Sequence, residues 1–313
     1  MILDFLTSEK QRLDEFLRQN LPSEISEENV SNSKIRRLII AGAVSVNGTQ
    51  VRRPAFELRG KSRISVSYEK EKFLFEKKPD DIKFELSEKD VLYEDEFLIC
   101  VNKPALFPTE ETIVGGEKRD NLHDAVVRYL WKKNPQLKNP PYVGIMHRLD
   151  RETSGVILFT KQRSVNKKIQ EMFASHDFTK IYVALCSDDS GKLAAGKTFS
   201  VEMFMGRTSP KSQAAKWGRL PESHGGLYSK TDFSVLKALE RGGEKYFLVQ
   251  ANLFTGRTHQ IRVHLSSLGF PILGDTLYGG KSAERVMLHS LRLEFGHPVS
   301  GEKLRVQAEP PFC

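Results

Sequence analysis

The chain is 313 residues long, with 39% hydrophobic and 28% charged residues and a formal net charge of +8. At roughly 100 to 200 residues per domain this length favours two domains, and the composition excludes wholesale disorder, a collagen-like fibre and a disulfide-stapled miniprotein. No run approaches the roughly 18 to 20 apolar residues of a membrane span, and the N-terminus has no basic lead of the signal-peptide kind. Cys100, Cys186 and Cys313 lie too far apart for a zinc spacing or a disulfide framework. Cytoplasmic residence, with no membrane partner, is the default expectation.

In chain order, Arg12 to Gln19 carries Leu13, Phe16 and Leu17 at helical spacing, and Ser33 to Ala41 carries Ile35, Leu38 and Ile39 the same way before Gly42. Val44 and Val46 then alternate with polar residues up to Asn47-Gly48, a strong hairpin signal; Val51 returns the chain, and Ile64, Val66 and Tyr68 alternate again. Residues 11–68 therefore predict a small helix-helix-hairpin domain. Between Ser33 and Val66 eight basic residues face one acid, Glu57, a net of +7 and nearly the whole excess of the chain. Lys34 and Arg37 share a helical face opposite the apolar one, Arg36 lies between them in sequence, and Arg52 and Arg53 carry the charge onto the hairpin. A solvated helix face is the ordinary explanation of such charges; their density here favours a polyanion partner, RNA or DNA.

Residues 69–89 mix Lys, Glu and Asp with little apolar periodicity and are expected to be a charged linker. Residues 90–313 form the second expected domain. Its strand-like runs are Phe97 to Val101, Tyr142 to Met146, Val156 to Thr160, Ile181 to Leu185, Phe199 to Phe204, Phe247 to Leu253 and Met287 to Phe295. Helical patterns fall at Leu122 to Trp131, Val165 to Phe173 and His259 to Leu268. Hairpin connections, as at Arg241-Gly242-Gly243-Glu244, rule against a strict βαβ repeat, so an α+β fold with a mixed, largely antiparallel sheet and flanking helices is expected.

Two polar stretches interrupt this pattern. His147-Arg148-Leu149-Asp150-Arg151-Glu152-Thr153-Ser154-Gly155 lies between two apolar strands, where a rigid sheet could hold a functional loop. On the residues alone, a turn in which Asp150 and Thr153 satisfy backbone donors explains it as well. Thr255 to Leu265 opens a helix with Arg257, His259, Arg262 and His264; a capped helix start or a surface anion site would account for it. The spacing of five between the histidines does not put both on one face, so no metal site is expected, and no phosphate-cradling or dinucleotide motif implies a cofactor.

These stretches, together with Val156-Ile157-Leu158, Lys180-Ile181-Tyr182, Ile272 to Gly279, Leu288-His289-Ser290 and His297-Pro298, resemble the ordered motifs of the RluA-type pseudouridine synthases. Residues Gln11 to Ser67 resemble the small RNA-binding domain named after ribosomal protein S-four. The resemblance implies an isomerase acting without a cofactor on RNA, ribosomal RNA first and transfer RNA as the alternative, and working as a monomer. A non-catalytic RNA-binding or assembly factor with the same fold is the rival from another class.

By the family pattern Asp150 is the essential carboxylate, and Arg262 is its expected partner, keeping it ionised, with Arg257 the second choice. Tyr182 would pack on the uracil and help to remove its ring proton. Arg148 would fill the gap left by a flipped-out nucleotide, and Leu288 would wall the pocket; core packing would explain Tyr182 and Leu288 equally well. Lys34, Arg36 and Arg37 are the expected phosphate contacts of the small domain. One departure stands out: after Asn102-Lys103-Pro104 the family usually continues with a glycine and a short Val-His-Pro-like piece, whereas this chain reads Ala105-Leu106-Phe107-Pro108-Thr109-Glu110-Glu111. That bears on which uridine is chosen rather than on the catalytic motifs.

Overall fold

A computed structural model describes residues 2–25, 30, 32–68, 81–114, 117–175, 177–210 and 215–312. The described chain divides into a small unit built mainly on residues 2–68 and a larger one on 81–112, 119–209 and 215–312.

In the small unit, β1 (Ile2–Thr7) is followed by α1 (Leu13–Glu24), α2 (Asn32–Ala41), β2 (Val44–Val46), β3 (Thr49–Gln50) and β4 (Ser62–Ser67). The four strands pair in the order β1-β4-β2-β3. Leu13, Phe16, Leu17 and Leu21 of α1 are all buried, and with Ile35 and Ile39 of α2 they pack on Val44, Val46, Ile64 and Val66. The helix-helix-hairpin pattern is thus present. The expected start at residue 11 is corrected: β1 pairs along its whole length with β4, from Ile2 opposite Ser67 to Thr7 opposite Ser62. Its Ile2 and Leu6 stay exposed, which blurs the alternation that would have marked it as a strand.

The expected linker is corrected too. Residues 69–80 lie outside the described residues, but 81–89 belong to the larger unit. Leu86 is buried in its core, and Asp81 accepts hydrogen bonds from Arg119 and Arg151. Ile82, Phe84 and Leu86 alternate with polar residues there, and Phe84 and Leu86 pack on the core, a short signal that the surrounding charges mask.

The larger unit contains β5 (Val91–Glu94), β6 (Leu98–Lys103), α3 (Leu122–Lys133), β7 (Gly144–Ile145), β8 (Ser154–Thr160), α4 (Asn166–Ala174) and β9 (Thr179–Cys186). It continues with β10 (Thr198–Arg207), β11 (Trp217–Arg219), β12 (Leu227–Arg241), β13 (Glu244–Leu253), α5 (Gln260–Ser267), β14 (Leu288–Gly296) and β15 (Lys303–Gln307). These strands form one sheet in the order β11-β10-β12-β13-β9-β14-β8-β6-β5, with β7 added to β8 and β15 to β14. Every pairing is antiparallel except β8 with β14, so the sheet is mixed and largely antiparallel, as expected.

The central strands are apolar on both faces because both faces are covered. Ile99, Val101, Ile157 and Phe159 join a core with Leu122, Val126 and Leu130 of α3 and Ile261 and Leu265 of α5. The alternate residues Leu98, Cys100, Val156 and Leu158 join another with Ile169 and Met172 of α4. The run expected at Tyr142 to Met146 shortens to Gly144–Ile145, which pairs only with Phe159 and Thr160. Among the described residues no helix is long and apolar enough to cross a membrane, and no group of three or more His, Cys, Asp or Glu could hold a metal ion.

Candidate active site

The three central strands β13, β9 and β14 contribute Leu253, Tyr182 and Leu288 to one pocket of about 80 Å³. Over them lie Arg148, Leu149, Asp150 and Thr153 from the loop before β8, and Gly256, Arg257, His259 and Arg262 from the loop before α5 and its first turn. All six residues expected here from the sequence, Asp150, Tyr182, Arg262, Arg148, Arg257 and Leu288, therefore line a single cavity, although up to 140 residues separate the first from the last.

The loop carrying Asp150 is pinned from two sides. Lys103, at the end of β6, is completely buried and donates from Nζ to the carbonyls of Pro104 (2.9 Å), Arg151 (3.1 Å) and Thr153 (2.8 Å). Burial pushes its ammonium down to about 7, because the charged form is taken out of water. Thr109 Oγ1 donates to Leu149 O (2.8 Å) and accepts from Leu149 N (3.3 Å). Behind the loop, Gly155 sits at φ +112°, where a Cβ would lie 2.2 Å from Ser290 O; the close passage of β8 and β14 requires a glycine.

Asp150 itself is left for the cavity. Its backbone carbonyl closes the turn by accepting from Thr153 N (3.0 Å), but its carboxylate takes no hydrogen bond from a described residue. The nearest basic side-chain nitrogens are Arg262 Nη1 at 3.8 Å and His259 Nε2 at 3.9 Å from Oδ2, the imidazole being held toward its neutral form by burial. Those are ion-pair rather than hydrogen-bond distances.

The expected pairing of Arg262 with Asp150 is present at ion-pair distance, but it is not the strongest bond of the guanidinium. The strong bonds of Arg262 run to Asp275, from Nε to Oδ2 (2.7 Å) and from Nη2 to Oδ1 (2.8 Å), the two-pronged geometry of a guanidinium on a carboxylate. Arg262 is 4% exposed and Asp275 1%. Only Nη1 remains, pointing between Asp150 and Glu152 at 3.8 and 3.7 Å. Burial alone would lower the guanidinium pKa; the bond and charge of Asp275, then Asp150 and Glu152, overcome it and push it up. Gly274, at φ +85° with a would-be Cβ 1.8 Å from Arg285 O, lets the chain turn Asp275 inward.

Around this pair stand groups to which the sequence assigned no catalytic or binding role: Glu152, Asp275, His259, Tyr278 and Lys103. His259 Nδ1 and the Tyr278 hydroxyl are 2.8 Å apart, and the Arg262 guanidinium lies 5.2 Å from the Tyr278 ring centre. Each falls in or beside a motif quoted above, so the signal was present, but their pairings are long-range and carry no periodicity. Tyr182 is buried, and burial pushes its phenol up to about 12, opposed by the Ser290 hydroxyl and reinforced by Asp150. Arg148 reaches out of the pocket to Glu110 in the departing segment. In the same segment Leu106 adopts φ +60°, the left-handed conformation a glycine takes without strain.

The match to an RNA pseudouridylate synthase family model spans residues 97–267, which includes Asp150, Tyr182 and Arg262. The chain belongs to the RNA pseudouridylate synthase family. An RNA pseudouridine synthase of Aquifex aeolicus is 30% identical over 99% of this chain and 94% of its own length. The ribosomal large subunit pseudouridine synthase D of Vibrio parahaemolyticus is 29% identical over 95% of this chain and 89% of its own. The human RNA pseudouridylate synthase domain containing 1 shares the fold with a TM-score of 0.56 at 24% identity, covering 74% of this chain and 88% of that one. This synthase thus carries its pocket over the centre of the sheet.

In the small unit the expected contacts lie apart from this chemistry. Arg36 and Arg37 are exposed on α2 and Lys34 is half-buried. Arg36 lines a groove with Arg12, Arg18 and Asn32, and with two acids, Asp14 and Glu15. Arg12 donates to Asp14 there, from Nη2 at 2.9 Å, so this face is mixed in sign at one edge.

Proposed function

We propose that this synthase isomerises uridine in ribosomal RNA, with Asp150 as the essential carboxylate and residues 2–68 as an RNA grip. The observation that carries the assignment is the state of Asp150: a carboxylate presented to a pocket, free of hydrogen bonds from described residues, on a loop pinned by Lys103 and Thr109. A turn-forming aspartate would spend its oxygens on its own loop. The large-subunit name of the Vibrio relative supports ribosomal RNA as the substrate.

The reaction breaks the N1–C1′ bond of uridine, rotates the base and forms C5–C1′, so a proton leaves C5 and N1 ends protonated. It needs no oxidant and no energy input. Asp150 supplies charge at the reacting sugar and base. Arg262, fixed by Asp275, supplies a cation that cannot swing away and needs no reorganisation during the reaction. Tyr182 and Leu288 hold the ring between apolar surfaces. With its phenol pushed up to about 12, Tyr182 is protonated when substrate enters, which favours packing over the proton-removing role expected from the family pattern. Arg148 would exchange Glu110 for the gap in the stacked RNA once the target base has been flipped out.

Asp150→Asn is expected to lower tritium release from ring-labelled uridine in RNA more than a hundredfold while RNA binding stays within a few-fold. Activity above a hundredth of the parent would remove Asp150 from its role. Sequencing of ribosomal RNA from cells lacking the protein, with chemistry that marks pseudouridine, should show one or a few lost sites; an unchanged ribosomal map would exclude that substrate.

A further inference from the structure

Lys180 takes no part in the chemistry above, although it belongs to the Lys180-Ile181-Tyr182 strand. On β9 it lies two residues before Tyr182, across a register irregularity between Ile181 and Tyr182, with its Nζ 6.0 Å from the Phe173 ring centre. Its ammonium reaches the pocket rim: a Cβ built on Gly256 would meet Lys180 Nζ at 4.0 Å and no other neighbouring heavy atom within that range. The next residue, Arg257, lines the pocket and is held by a bond from Nε to Tyr228 O (3.0 Å).

The two cations are close enough to act on one another. Burial and then the charge of Arg257 hold Lys180 below the ordinary lysine range. The other titratable neighbour, His147, is driven down to about 3 by burial and by Lys180, and its Nε2 accepts from Leu158 N (3.0 Å), so it brings no compensating charge. Among the described residues neither Lys180 nor Arg257 has a carboxylate partner. Arg262 and Arg148, in the same pocket, are paired with Asp275 and Glu110. Two half-buried like charges beside an open glycine form an electrostatically unfavourable arrangement unless an anion joins them.

We propose that Lys180 and Arg257 form a phosphate site at the pocket rim that grips a backbone phosphate adjoining the flipped uridine. The inference rests on the uridine reading of the pocket: with the base enclosed between Tyr182 and Leu288, the sugar-phosphate chain has to leave over the rim. An uncharged glycine and two donors with opposite backbone origins suit a diester oxygen there, with Lys180 acting as a point charge and Arg257 as a planar fork.

The test uses RNA containing the mapped target uridine, with the phosphate on its 5′ or its 3′ side replaced in turn by a neutral methylphosphonate. Binding is read in the full-length Asp150→Asn protein, so that turnover does not intervene. Neutralising one of the two phosphates should weaken binding roughly tenfold to a hundredfold, the range of a hydrogen bond to a charged group. Adding Lys180→Met, which keeps the apolar stem and leaves Arg257 in place, should weaken binding of the unmodified RNA and shrink the difference between the two RNAs. Lys180→Arg should restore that difference. Equal binding of all three RNAs by the parent, or a methylphosphonate penalty undiminished by Lys180→Met, would overturn the site. The parent comparison stands even if Lys180→Met does not fold. Tritium release by the wild-type protein from the unmodified RNA reports separately on the uridine reading; its absence would sink that reading and leave the phosphate measurement interpretable.

Discussion

Arg36 and Arg37 stand exposed on α2, whereas Arg262 on α5 is buried and has two of its nitrogens locked on Asp275. The same guanidinium group is used in opposite ways. In the small unit, charges in water attract a polyanion over about a Debye length, act nearly additively and weaken with salt. In the pocket, a charge withdrawn from water acts only on what touches it, depends on its partner and is insensitive to salt. Binding and chemistry should therefore respond to different substitutions, and the contrast can be attacked from either side.

The largest effect is expected at Asp275. Asp275→Asn removes the partner of a buried cation, and leaving such a charge uncompensated typically costs about 3–5 kcal/mol. Denaturant unfolding should show a loss of that order, together with loss of turnover. A stability change within ~0.5 kcal/mol would mean that Arg262 is not held as described.

Next comes the geometry of the cation. Arg262→Lys keeps the charge but cannot reproduce the two-pronged bond, so single-turnover rates should fall strongly, while Arg257→Lys, which keeps a cation at the rim, should be milder. The reverse order would assign the two arginines wrongly.

On the exposed side, Lys34→Ala, Arg36→Ala and Arg37→Ala combined should weaken RNA binding. If all three touch phosphate, the plot of log affinity against log salt should become shallower by roughly two units. Filter binding across a salt series measures this, and an unchanged slope would show these charges to be a solvated face. The smallest effect concerns Leu106. The left-handed conformation costs an ordinary residue about 1–2 kcal/mol, part of which a glycine returns as extra chain entropy, so Leu106→Gly should stabilise the fold by roughly 0.5–1 kcal/mol in urea unfolding. Destabilisation would show that contacts of the Leu106 side chain outweigh the strain.

What could be read from the sequence follows the same division. Periodicity located α1, α2, the Asn47-Gly48 hairpin and most central strands, because a buried face repeats at a fixed interval. The strand Ile2–Thr7 and the segment 81–89 escaped, since exposed Ile2 and Leu6 spoil the alternation of the first and charged neighbours mask that of Ile82, Phe84 and Leu86 in the second. The pocket residues were legible as motifs but their partners were not. Arg262 stands at ion-pair distance from Asp150 as expected, but its two-pronged bond goes to Asp275, thirteen residues on, through the turn at Gly274. Lys103 reaches its loop across 48 and 50 residues, a contact no local pattern encodes.

The division of labour is tested most directly by measuring two quantities on two proteins: the single-turnover rate of tritium release on saturating RNA, and the salt slope of binding, for Asp150→Asn and for the combined Lys34, Arg36 and Arg37 alanine variant. The expected result is a crossing, with the first protein losing more than a hundredfold in rate at an unchanged slope and the second keeping its rate while its slope flattens. A triple variant that loses its rate on saturating RNA, or an Asp150→Asn protein whose salt slope collapses, would contradict it.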